Sequence, residues 1–123
     1  MTVSIARQIA FDVLLRVARQ DAYADEALRA ALAKSTSRDA GKGAVKTVDA
    51  GLATELTFGV LRSQRLLDYH LDRFLTKSGK SLDPEVRIAL RLGAYQLFFL
   101  ERIPAHAAVH ESVELVKMAR KRE

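Results

Sequence analysis

Cysteine is absent from these 123 residues. That excludes disulfides, thiolate metal sites and a cysteine nucleophile within the chain. A membrane span is also missing: the longest apolar stretch, around Leu92 to Leu100, is short and interrupted by Gln96. Residues 3 to 20 carry Arg7, Asp12, Arg16 and Arg19, so they lack the apolar centre of a signal peptide. The expectation is a cytoplasmic protein with no membrane partner. There are no alternating β-branched runs and no hairpin signals, which leaves no candidate strand. The Gly41-Lys42-Gly43 stretch has neither the strand before it nor the helix spacing after it that a phosphate loop needs. No nucleophile elbow is present.

What the chain does have is apolar content and positive charge. Hydrophobic residues make up 49%, enough for one ordinary domain with a real core, and residues 1–123 are read as a single domain. The formal net charge is +5 and the pI is about 9.8. Such an excess favours a polyanionic partner, although basic charge is often only a solvated face.

The periodicity predicts an all-α bundle of about six helices. The first runs from Ser4, an N-cap, to Arg19, with Ala6, Ile9, Ala10, Val13, Leu14 and Val17 on one arc. The second runs from Asp25 to Lys34, with Leu28, Ala31 and Leu32 inward. A mobile loop is expected over about residues 35–48. From Asp49 to Thr76 the pattern is helical again, but Gly59 and Ser63 predict a kink or break near Arg62, giving helices three and four. Asp83 and Pro84 open a fifth helix as N-cap and first residue. It has two apolar stripes: Val86, Leu90, Gly93 and Leu97, then Ile88, Leu92, Tyr95 and Phe99. A helix apolar on most sides belongs at the centre of a bundle, and Gly93 would admit a neighbour closely. Arg87, Arg91 and Glu101 are read as its solvent strip. Pro104 ends it. A sixth helix from Ala105 carries Val109, Val113 and Val116 inward.

Catalytic chemistry is hard to place. His106, His110 and Glu114 stand one turn apart, a spacing that can put metal ligands on one face. No other cluster supplies the remaining strong ligand, so they are read as surface residues. Asp68 and Asp72, like Asp12 and Arg16, suit solvated helix faces better than a general acid–base pair. On this chemistry the chain is not an enzyme by itself, and no cofactor or metal is expected in it. The remaining signal is cationic. Arg7 lies beside the apolar arc of helix one, Arg62 and Arg65 sit at the expected kink, and Lys117, Arg120, Lys121 and Arg122 crowd the end. Separated cations near helix ends can form an RNA-backbone surface. The candidate contacts are Arg7, Arg62, Arg65, Lys117 and Lys121. Most aromatic residues look buried, which favours phosphate and shape readout over base stacking.

Three stretches carry a resemblance. "ARQIAFDVLLRV" resembles the opening helix of the NusB-like family, with Arg7 three residues before Ala10. "ELTFGVLRSQRLLDYHLDRFL" is similar to the N-terminal domain of RsmB-type ribosomal RNA cytosine-C5 methyltransferases, through Glu55, Phe58, Gly59, Val60, Leu61 and Arg62. "ALRLGAYQLFFLERIPAHAAVHESVELVK" resembles both branches, through Leu90, Arg91, Tyr95, Leu97, Pro104, Ala108, Glu111, Val113, Glu114 and Lys117. The likeness runs from about Ile5 to Lys117, the loop apart.

The resemblance implies a compact helical domain that contacts RNA, with the region of Arg7 as a contact and Arg62, Arg65 and Lys117 as weaker transfers. Arg91 is better read as a bridge between helices. In the methyltransferase branch the implied partner is small-subunit ribosomal RNA. S-adenosylmethionine would then be held by a fused or separate catalytic domain. Without cysteine this chain cannot form the covalent cytosine adduct. Family members also carry one more helix after the position of Lys117, so apolar surface left by that helix implies a possible homodimer. A stand-alone antitermination or ribosome-assembly adaptor is the alternative, and a helical protein–protein module a further one.

Overall fold

A computed structural model of the chain describes residues 4–38, 47–74, 82–100 and 103–121. Five helices make up the bundle: α1 (Ile5–Gln20), α2 (Ala24–Arg38), α3 (Thr47–Phe74), α4 (Pro84–Phe99) and α5 (Ala105–Lys121). No strand occurs among the described residues. The expected loop over residues 35–48 falls largely outside the described residues, and α2 runs on to Arg38.

Local signals set several boundaries. Ser4 has extended backbone, and its hydroxyl accepts from the Arg7 amide at 3.4 Å, a weak N-cap bond. Asp21 closes α1 in the left-handed region at φ 53°, which aspartate tolerates better than most residues. Pro84 takes the first position of α4, where its missing N–H costs nothing. Asp83 caps it by backbone position alone, with no side-chain cap bond.

The predicted break near Arg62 does not occur. α3 is one helix of 28 residues. Gly59 is not there to bend the chain. A Cβ at that position would collide with the Tyr95 ring, reaching its Cε1 at 2.7 Å. The glycine makes room for a side chain from α4.

The predicted fifth helix, α4, is the centre. It touches α1, α3 and α5, and Ile88, Ala89, Leu92, Gly93, Ala94, Tyr95 and Gln96 are all buried. Its core partners include Phe11, Leu14, Leu56, Val60, Leu67 and Leu115. A second cluster joins Ala6, Ile9 and Val13 of α1 to Ala27 and Leu28 of α2 and Ala53 of α3. Phe11, outside the arc expected for helix one, is buried because α1 is covered on two sides.

Two facing assignments are corrected. Val109 and Val113 of α5 are exposed, while Ala108, Leu115 and Ala119 pack inward. The close approach of α4 and α5 explains the rotation. A Cβ on Gly93 would lie 2.6 Å from the Ser112 hydroxyl, so small residues mark the contact. Arg87 and Arg91 do not form a solvent strip, and Asp68 and Asp72 are not simply solvated. Arg91 donates twice to the Asp68 carboxylate, at 2.8 Å each, and Arg87 reaches Asp72 at 2.9 Å. Arg91 thus bridges helices as expected. Glu101 lies outside the described residues.

One buried ion pair ties the ends of the chain together. Arg7 is 7% exposed and lies 2.9 Å from the Glu111 carboxylate of α5. Its Nε donates to Gln96 Oε1 at 2.6 Å and its Nη1 to the Ser4 hydroxyl at 2.9 Å. The Ser4 amide donates to Glu111 as well, at 2.7 Å. Removing one member would strand the other as an uncompensated buried charge. Glu111→Ala is expected to cost about 3–5 kcal/mol in urea unfolding, and a loss below 1 kcal/mol would contradict this role.

Candidate nucleic-acid interface

The ion pair just described settles the place of Arg7. The structure corrects the reading of it as a surface contact. Its guanidinium is enclosed by Glu111, Gln96 and Ser4, so a phosphate would have to compete with a carboxylate already held inside.

Arg62 and Arg65 are exposed and share one side of α3. At 3.6 residues per turn, Arg62, Arg65, Tyr69 and Arg73 fall within an arc of about 80°. Arg73 and Tyr69 are exposed too. The face is therefore about three turns of helix bearing three arginines and a tyrosine. The acids on this half of α3, Asp68 and Asp72, are turned toward α4 and neutralised by Arg91 and Arg87. Asp68 is half-buried in that contact, whereas Asp72 stays largely exposed beside the arginine face with Arg87 as its partner. Arg65 and Arg73 have no ion pair among the described residues.

Arg62 also borders a cleft of about 510 Å³ lined by Thr47, Gly51, Thr54, Glu55 and Phe58. The Tyr95 hydroxyl, brought across by the space over Gly59, donates to the Glu55 carboxylate. Burial and that carboxylate push the phenol above its ordinary value of 10.0, while the Arg62 guanidinium beside it pulls partly back. Tyr95 is thus a neutral donor at ordinary pH. Its ring stacks on Phe99 at 5.1 Å between centroids. The Glu55, Gly59 and Arg62 positions are one local assembly around this ring, while Phe58 packs toward α1 and α2.

Lys117 is exposed but stands on α5, whose backbone does not approach α3 among the described residues. It pairs loosely with Glu114 at 3.4 Å, beside His106 and His110. Lys121 ends α5, and its side chain lies outside the described residues. The structure therefore brings Arg62 and Arg65 together and leaves Lys117 apart. Among the described residues, no three metal-ligating side chains converge. No helix among them is long and apolar enough to cross a membrane.

The gap between α3 and α5 is a second feature. α4 forms its floor through Leu90, Gly93, Ala94 and Leu97, and Phe74, Val109 and Val113 stand at its sides. The groove holds about 250 Å³ and is almost wholly apolar. Phe74 is 87% exposed and Phe98 58%. That is much apolar surface to leave to water.

Sequence reasoning missed Tyr69 and Arg73. Their spacing from Arg65 was visible, but burial of the aromatics was assumed.

A bundle wound on a buried fourth helix, with a cationic outer face on the third, defines a class of small all-α domains. The chain belongs to the NusB family, whose model matches residues 4–123. It is 35% identical over 118 residues to the probable ribosomal RNA small subunit methyltransferase B of Bacillus subtilis (strain 168), covering 96% of this chain and 24% of that protein. It is 37% identical over 112 residues to the protein of the same name from Synechocystis sp. (strain ATCC 27184 / PCC 6803 / Kazusa), covering 91% and 23%. The chain thus spans about a quarter of the length of these relatives. It is also 36% identical over 74 residues to the transcription antitermination protein NusB of Pseudoalteromonas translucida (strain TAC 125), covering 60% of this chain and 54% of that one. Among solved structures, a chain in the crystal structure of a plectonemic RNA supercoil matches with a TM-score of 0.77 and 25% identity, over 94% of this chain and 79% of that chain.

Proposed function

We propose that this chain is an RNA-docking domain, acting as the N-terminal module of a small-subunit ribosomal RNA methyltransferase. The observation that carries the reading is the outer face of α3, where Arg62, Arg65 and Arg73 stand outward while the neighbouring acids are tied to α4. Phosphates would be held there by charge, and the rigid helix would fix their register. The relatives' names and their fourfold greater length support the methyltransferase setting. Catalysis and S-adenosylmethionine binding are assigned to residues other than these. Similarity to an antitermination protein keeps a second reading, a free adaptor on nascent-transcript RNA. The apolar groove supports pairing with a second copy when the chain is isolated, and a monomer in sedimentation at high concentration would contradict that.

The test is binding to fragments of small-subunit ribosomal RNA over a range of salt. The affinity is expected to fall steeply with salt. The double variant Arg62→Ala, Arg65→Ala is expected to lower the slope of log affinity against log salt by about 1.4, taking about 0.7 per phosphate on a single strand. An unchanged slope would contradict the assignment. Stronger binding to nascent-transcript RNA would favour the adaptor.

A further inference from the structure

Tyr69 is the one group on the α3 face that phosphate binding does not call for. It lies between Arg65 and Arg73 along the helix and is 61% exposed. The Arg73 guanidinium sits over its ring, 5.9 Å from the centroid, within cation–π range. His70 meets it at 5.4 Å with the ring planes nearly perpendicular. Tyr23 is even more exposed, yet no guanidinium stacks on it among the described residues. Exposure alone therefore does not set Tyr69 apart. Its place among three arginines, and the cation poised over its face, do.

We propose that Tyr69 is a base-stacking platform for a single-stranded RNA segment. This rests on the RNA-docking reading and deepens it. An unpaired nucleobase would lie on the Tyr69 ring, while Arg62, Arg65 and Arg73 hold the phosphates on either side. The geometry suits this. The four side chains succeed one another at steps of three or four residues, about 4.5–6 Å of rise each, so the ring stands between Arg65 and Arg73 along one edge, with Arg62 one step beyond Arg65. Every base presents a π-face, so the contact accepts any sequence but requires that the base be unstacked. A duplex hides its bases, and its deep groove would not admit the ring. The ligand class is thus a loop, bulge or unpaired strand. Arg73 contributes twice, as a phosphate contact and as the cation that orders the ring before the base arrives.

Two probes separate stacking from charge: a short single-stranded RNA of mixed sequence, and a strand of equal length whose sugars carry no bases. Both are titrated by fluorescence anisotropy against the full chain. Tyr69→Ala is expected to weaken the base-bearing strand about 5- to 150-fold and to leave the abasic strand bound as before. Because the residue is exposed and Ala favours helix, the fold is expected to survive, which thermal melting checks. Tyr69→Phe keeps the ring and is expected to recover the base-dependent affinity. Tyr23→Ala is expected to change neither strand, and Arg65→Ala to weaken both. Equal weakening of both strands by Tyr69→Ala, or no weakening of either, would overturn the stacking assignment while leaving RNA docking in place. If the unaltered chain binds neither strand, the docking reading falls and the platform with it.

Discussion

α4 is buried around most of its circumference and yet carries Arg87, Arg91, Tyr95 and Gln96. Polar groups in such a place need partners, because an unpaired one costs its full desolvation. Each finds one on a neighbouring helix. Arg91 and Arg87 take Asp68 and Asp72 of α3, Tyr95 takes Glu55 of α3, and Gln96 accepts from Arg7 of α1. These contacts help to fix the orientation of α4. They also decide the character of the surface. By pairing Asp68 and Asp72 with arginines of α4, they leave Arg65 and Arg73 without an acidic partner among the described residues. The same bonds that satisfy the core helix therefore set up the candidate interface.

The two remaining surfaces divide in the same physical terms. The outer face of α3 is cationic and carries a ring on a rigid helix. The groove between α3 and α5 is apolar and floored by α4, because the backbones of α3 and α5 stand apart. A polyanion suits the first and an apolar chain segment the second. The two surfaces adjoin at His70, which lines the groove and meets the Tyr69 ring.

Much of the fold was legible because its signals are local. The Ser4 cap, the Pro84 start, the centrality of α4 and the closeness required at Gly93 all follow from residue type and spacing. The failures share one cause, which is a partner distant in sequence. Gly59 looked like a break because nothing nearby announces the Tyr95 ring, 36 positions on, that fills the space beside it. Arg7 looked like a surface cation, although its place beside the apolar arc was a hint. Its acceptor Gln96 lies 89 positions away. Arg87 and Arg91 looked solvated for the same reason. On α5, periodicity defined an apolar side too broad to say which part of it faces inward, so Val109 and Val113 were placed inside and Ala108 and Leu115 overlooked. The candidate site was half legible: Arg62 and Arg65 followed from charge and position, but the outward turn of Tyr69 depends on where α4 packs.

The outer face of α3 is the proposed meeting place with RNA. Backbone amide shift mapping by NMR, with a short single-stranded RNA titrated into isotope-labelled chain, tests it most directly. The largest changes are expected from Arg62 to Arg73, with the buried surroundings of Arg7 unmoved. Changes centred instead on α5 around Lys117, with α3 silent, would contradict it.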